Sequence, residues 1–323
     1  MYAVIGVSGK TGSAVAETLL QRGHGVRAVV RRREAGEAFR SRGADLALAD
    51  LANQDALAAA LEGVDGAYVM TPPLLEAPDP DGIKRAFIRA IRTGAEQAGA
   101  PPLVVLSSLG AHLPAGTGPV ELLHEMEQVL RDYPGNVSFL RPPYFLDNWM
   151  EAIGPAMAEG IFPSFIAPGV AIDMASTAEI GHVAADLLRE SGNGHRVVEL
   201  QSAQRYSAQD LASELGRLLG KSLEVAYPPR NAWHDILIGA GLSPAGAAQM
   251  AALIDGINDG RIGPSGEGEC RIVREGPSAV FRRLLEGESP GVPASALTLQ
   301  ERTPNRSAPR RQPTVPPSIP TAS

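Results

Sequence analysis

Gly6, Gly9 and Gly12 fall at three-residue spacing in Val4-Ile5-Gly6-Val7-Ser8-Gly9-Lys10-Thr11-Gly12. The loop follows a short apolar run, residues 2–5, and precedes an amphipathic stretch, residues 11–22. Glycines at this spacing permit a tight turn and let a backbone approach a pyrophosphate closely. The helix that follows supplies free amides and the positive end of its dipole. A glycine string alone is weak evidence, and a purely structural turn is the alternative reading. The strand-before, helix-after context is what a dinucleotide site requires. A phosphate loop of the ATPase type does not fit, because no glycine lies five residues before Gly9.

The next two-thirds of the chain repeats this unit. Apolar runs at residues 26–30, 46–48, 67–70, 103–106 and 137–140 are strand-sized and lack strict alternation. Parallel strands buried on both faces read this way. Between them lie helix-period stretches at 11–22, 55–61 and 83–98, which stop at Gly23, Gly63 and Gly99. The pattern predicts a doubly wound, Rossmann-type α/β fold with a parallel sheet. Further on, 144–159 reads as a helix, 170–174 as a strand, 177–190 as a helix and 196–201 as a strand. Residues 208–219, 233–240 and 244–257 read as a mostly helical region that closes a cleft over the sheet.

The predicted second strand ends in Arg31-Arg32-Arg33 rather than in an acidic residue. Asp or Glu at that point binds the ribose hydroxyls of NAD. A guanidinium suits the 2′-phosphate of NADP(H), which it matches in bidentate fashion. Arg31 is the principal candidate, with Lys10 as a second cation; solvated surface is the alternative for all three arginines. Asp50 and Leu51, ending the third strand, are placed to meet the adenine, although an Asp there also serves as a helix cap.

With these residues noted, the chain resembles the NmrA-like branch of the atypical short-chain dehydrogenases over roughly residues 1–286. The resemblance rests on G-V-S-G-K-T-G at 6–12, the arginine after the second strand and S-S-L-G-A at 107–111. It extends to L-R-P-P-Y-F-L-D-N at 140–148 and Y-S-A-Q-D-L-A-S-E-L-G-R-L-L-G at 206–220. It implies NADP(H) held by Gly6, Ser8, Gly9, Lys10, Thr11, Gly12 and Arg31, with Thr71 and Pro72 along the cofactor and Pro143 near its nicotinamide end. Some members of the branch reduce quinones; others act as dinucleotide-binding redox sensors. A small-molecule acceptor is expected in the first case and a protein partner in the second.

The Tyr-x-x-x-Lys pair of typical short-chain dehydrogenases is missing. The lysines are Lys10, Lys84 and Lys221, and none follows a tyrosine by four. Alcohol–carbonyl chemistry through a lysine-tuned tyrosine is therefore unsupported. The position where related reductases carry a lysine falls within 121–127, beside His124, and histidine donates a proton near neutral pH. His124, Ser107 and Tyr144 are the catalytic candidates. Phe162 and Phe165 form either a flat acceptor pocket or ordinary core. Quinone reduction has less need of a dedicated acid, because a hydroquinone anion takes its proton readily from solvent.

Other functions drop out on composition. With 29 basic and 36 acidic residues the net charge is −7, which argues against a nucleic-acid grip. One cysteine, Cys270, excludes an internal disulfide framework, and the six histidines show no metal spacing. A cytoplasmic protein is expected, without a membrane span or a signal peptide. The expected division is one NAD(P)-binding domain over 1–286, with its core at about 1–150 plus 170–201 and a substrate region at about 151–169 and 202–286. A proline-rich tail follows at 287–323, with eight prolines and no helical or strand period, and it is expected to be disordered.

Overall fold

The structure, a computed structural model, describes residues 1–190 and 194–287. Residues 288–323, nearly all of the expected tail, lie outside the described residues.

Eight parallel strands form the central sheet. They are β1 (Tyr2–Ile5), β2 (Val26–Val30), β3 (Asp45–Leu48), β4 (Gly66–Val69), β5 (Leu103–Leu106), β6 (Val137–Arg141), β7 (His195–Ser202) and β8 (Glu269–Val273). Their spatial order is β8-β7-β6-β5-β4-β1-β2-β3. The chain therefore moves outward from β1 to β3, then returns to β4 on the other side of β1. That reversal is the switch point at which ligands bind outside the carboxyl ends of the strands. The register sets those ends side by side: Ile5 opposite Val29, Val30 opposite Leu48, Val69 opposite Val105, and Leu106 opposite Leu140.

The helices are α1 (Lys10–Gln21), α2 (Gln54–Leu61), α3 (Pro80–Gln97), α4 (Glu121–Val129), α5 (Thr177–Arg189), α6 (Ala208–Leu219), α7 (Pro244–Asn258) and α8 (Pro277–Leu285). Successive strand residues face opposite sides, and both sides are covered. Val4 joins Val15 and Leu19 of α1 with Ile180 and Ala184 of α5 in one cluster. Ala3 and Ile5 join Leu57 of α2, Ile88 of α3 and Met126 of α4 in the other. A third cluster, around Trp149, Phe162, Met174, Leu211 and Phe281, builds the region over the sheet edge.

Two expectations change. Residues 144–159 are not one helix. Tyr144–Phe145 pairs as a short strand with Met174–Ala175, a tight turn covers Leu146–Ala152, and the α-helix runs only over Ile153–Glu159. Pro142 and Pro143 lack N–H donors, and Pro155 is tolerated only within a first helical turn, so regular helix begins late. The C-terminal region is also not purely helical, because β8 adds to the sheet beside β7. An edge strand with exposed Glu269, Cys270 and Ile272 carries no continuous apolar run.

Helices α1 and α5 pack closely at Gly181. A Cβ there would lie 2.4 Å from the Ala14 Cβ and 2.7 Å from the Ala14 carbonyl carbon. Gly181→Ala gains about 1 kcal/mol of helix propensity. It loses about 1–3 kcal/mol to overpacking against a neighbour that cannot yield. We expect net destabilisation and a lower melting temperature by calorimetry; an unchanged or raised melting temperature would contradict the close approach.

Candidate active site

The β1–α1 loop is closed by its own backbone. Gly9 N–H donates to the Gly6 carbonyl at 2.9 Å, and Gly6 sits at φ +80°. A Cβ on Gly12 would stand 2.2 Å from the Gly6 carbonyl oxygen, so the third glycine lets the helix meet the loop. Gly9 caps α1 with no side-chain hydrogen bond, which leaves first-turn amides free to receive an anion. Ser8 is exposed and Thr11 is buried at the helix start. The Lys10 ammonium donates to the Asp147 carbonyl at 3.1 Å, which ties this loop to the segment after β6. The buried Asp147 carboxylate in turn accepts from the Thr177 N–H and hydroxyl at 2.8 Å each, fixing the start of α5.

Arg31, Arg32 and Arg33 leave β2 exposed, with no ion pair among the described residues. Most other arginines are spent on carboxylates. Asp50 lies at the end of β3, where its carboxylate accepts from Ala52 N–H at 2.8 Å, and Leu51 packs into the core edge. Thr71 and Pro72 are half-buried at the end of β4. The loop they begin is pinned by Ser243, whose N–H donates to the Leu75 carbonyl at 3.0 Å. Pro143 is buried beside β6.

The catalytic candidates separate. His124, in the first turn of α4, holds Nδ1 2.8 Å from the Ala111 carbonyl. A carbonyl only accepts, so Nδ1 carries the proton and Nε2 is the nitrogen left for chemistry. Tyr144 lies against Trp149 with ring centroids 5.8 Å apart. Burial, reinforced by Glu151 and opposed by a hydrogen bond with Asn148, pushes its phenol up to about 12. It therefore stays protonated at neutral pH and serves as a donor rather than a base.

Ser107 takes another part from the one expected. Its hydroxyl donates to Glu127 Oε1 at 2.5 Å inside a buried network. Glu127 accepts from Arg141 Nε at 2.9 Å and from a terminal guanidinium nitrogen at 2.6 Å. Arg141 also reaches Glu199 at 3.3 Å, and Glu199 accepts from the Ser265 N–H and hydroxyl and from the Gly266 N–H. Ser107 is thus held by a carboxylate rather than presented to a ligand. Phe162 and Phe165 are core: Phe162 stacks on Trp149 at 5.1 Å, and Phe165 meets Trp233 edge-on at 5.6 Å. The sequence reading missed this network, yet a signal was available. Arg141 and Glu199 stand in otherwise apolar strands and pair in register, and charges buried there need partners.

Among the described residues, no three His, Cys, Asp or Glu side chains group to hold a metal, and no helix is long and apolar enough to cross a membrane.

Removing one member of the network strands the others. Arg141→Met should cost about 3–5 kcal/mol in denaturant unfolding. Burial alone would raise the Glu199 carboxyl, but the Ser265 and Gly266 donors and Arg141 outweigh it and hold the group below its ordinary value. A lowered folded value means stability present above about pH 4.5 and lost as the pH falls through that lower value. Glu199→Gln should flatten the acid limb of stability; an unchanged acid limb would contradict the network's charge state.

Comparison with known proteins agrees with the architecture. The NmrA-like family model matches residues 2–263. An NAD(P)H azoreductase from Xenophilus azovorans is 25% identical over 256 residues, 78% of this chain and 86% of that protein. Quinone oxidoreductase 2 of Escherichia coli is 27% identical over 257 residues, again 78% and 86%. A solved structure of an Escherichia coli NADPH-dependent quinone oxidoreductase with NADPH superposes with a TM-score of 0.70 at 23% identity, covering 92% of this chain and 98% of that one. With one parallel sheet wound on both faces, a glycine cradle at its switch point and a family match across most of its length, the chain belongs to the NmrA-like family.

Proposed function

We propose that the chain is an NADPH-dependent oxidoreductase that reduces a small, electron-poor acceptor of the quinone type. One observation carries the reading. The uncapped start of α1 and three unpaired arginines lie on the same sheet edge, beyond β1 and β2. A cradle for a pyrophosphate thus lies beside cations for a 2′-phosphate. The residues that would hold the cofactor are Gly6, Ser8, Gly9, Lys10, Thr11 and Gly12 at the diphosphate. Arg31 would take the 2′-phosphate, Asp50 and Leu51 the adenosine end, and Thr71, Pro72 and Pro143 the nicotinamide side. The named activities of the azoreductase and quinone oxidoreductase relatives support the same reading.

Bound there, NADPH supplies a hydride. The chain has to orient the acceptor and settle the proton. His124 is suited to the second task, because its Nδ1 proton is held by Ala111 and Nε2 is left to pass a proton to the acceptor oxygen. Tyr144 offers a neutral hydrogen-bond donor. Ser107, through Glu127 and Arg141, positions the β5 end rather than touching substrate.

A second reading, a redox sensor that binds NADP(H) without turnover and acts through a protein partner, is favoured by that engagement of Ser107 and by the missing Tyr-x-x-x-Lys pair. Purified protein with NADPH and a panel of quinones, against NADH and protein-free controls, separates the two. Protein-dependent NADPH oxidation supports the reductase; binding without oxidation moves the assignment to the sensor.

Two substitutions test the residues. Arg31→Ala should raise the KM for NADPH about tenfold or more and leave that for NADH nearly unchanged, as loss of one charged hydrogen-bonding group implies. Equal loss for both cofactors would remove the phosphate assignment. His124→Gln should lower kcat about a hundredfold without weakening NADPH binding, the scale of a lost general acid. Unchanged kcat would leave proton delivery to solvent.

A further inference from the structure

Five charged side chains are buried among the described residues: Lys84, Glu127, Arg141, Asp147 and Glu199. Four are held by hydrogen bonds at 2.6–3.3 Å. Lys84 is only 3% exposed, and it makes no hydrogen bond or ion pair among the described residues. Its amine is also absent from the polar atoms sealed off without a partner, so its tip still reaches solvent. Leaving a buried ammonium unpaired is costly, and folds that retain one commonly use it.

Its place in the fold indicates that use. Lys84 lies on the sheet-facing row of α3 with Pro80, Ile88, Ile91 and Ala95, all buried except for this one amine. Helix side chains lean toward the helix N-terminus. The α3 N-terminus stands at the carboxyl edge of the sheet, because α3 follows β4. The charge that Lys84 senses is Asp81, one turn nearer that edge, and Gln249 already donates to the Asp81 carboxylate. Arg85 clamps Glu125 with two bonds of 2.7 Å, which locks α3 against α4 and sets Lys84 level with His124. Burial, partly offset by Asp81, pushes the amine down to about 8, so it remains mainly cationic at neutral pH.

We propose that Lys84 is the anion-recognising group of the acceptor site, and that the preferred acceptors carry an oxyanion beside the reducible centre, as an ionised hydroxyquinone does. The inference rests on the acceptor site assigned above. It adds the charge class of the substrate and a residue to read it. An oxyanion gives the amine the partner that the folded chain withholds. A neutral quinone leaves the cation unmatched.

Binding separates this proposal from the question of turnover. The full-length protein, saturated with NADP⁺, is titrated with the ionised hydroxynaphthoquinone lawsone and with its neutral parent naphthoquinone. Tryptophan quenching is the readout. Wild type should bind lawsone about ten- to a hundredfold more tightly than Lys84→Met, the scale of a lost charged hydrogen bond. Affinity for naphthoquinone should change little. Lys84→Met should melt at or above the wild-type temperature, because an apolar isostere replaces an unpaired buried charge. Lys84→Arg should keep part of the preference for the anion. Equal lawsone affinity in wild type and Lys84→Met overturns the proposal, whether or not the protein oxidises NADPH. Loss of both ligands together with a lowered melting temperature assigns Lys84 a packing role and also overturns it. If wild type keeps the lawsone preference but oxidises no NADPH, the reductase reading fails and the anion site stands.

Discussion

With every strand of the sheet running the same way, the carboxyl ends of β1, β2, β4, β5 and β6 open on one edge. The helices after β1, β4 and β5 begin there with N–H groups that no carbonyl inside the helix can take. The site depends on that alignment. The Gly12 approach to the Gly6 carbonyl, at a distance no side chain could share, brings α1 onto the loop and aims its free amides outward. Lys10 and Asp147 then fasten the loop to the segment after β6.

The placement of charge divides the molecule into finished and open parts. Arg141 is enclosed between Glu127 and Glu199, and its network runs from the end of β5 through β6 and β7 to the turn before β8. That is structural use of charge: each group is partnered and each partner is also held. Arg31, Arg32 and Arg33 are the reverse, three cations on one sheet edge with no protein partner among the described residues. Lys84 is an intermediate case, enclosed like Arg141 and unpartnered like Arg31. Unmatched charge at a ligand edge is the electrostatic form of a binding site.

The sheet interior was legible in the sequence because burial on both faces writes continuous apolar runs. β1, β2 and β5 coincide with the expected runs residue for residue, and α6 begins and ends where its pattern does, with Ser207 and Asp210 forming a capping box. β8 escaped because an edge strand half in solvent has no such run. The stretch after β6 was misread as helix because its apolar spacing was weighed above three prolines. Cofactor residues were readable from local spacing. The catalytic groups were less so: Ser107 meets Glu127 twenty residues away on a different element, and only tertiary structure brings the two together. The Nδ1 contact of His124 with Ala111 belongs to the same class of information.

The central claim is that the edge formed by β1 and β2 is built for a 2′-phosphorylated dinucleotide. The most direct measurement is calorimetric titration of the wild-type protein with NADPH and with NADH at one salt concentration. The account predicts tighter binding of NADPH by about ten- to a hundredfold, the worth of charged contacts to one additional phosphate. Equal affinities, or a preference for NADH, would contradict it and return Arg31, Arg32 and Arg33 to the solvated surface.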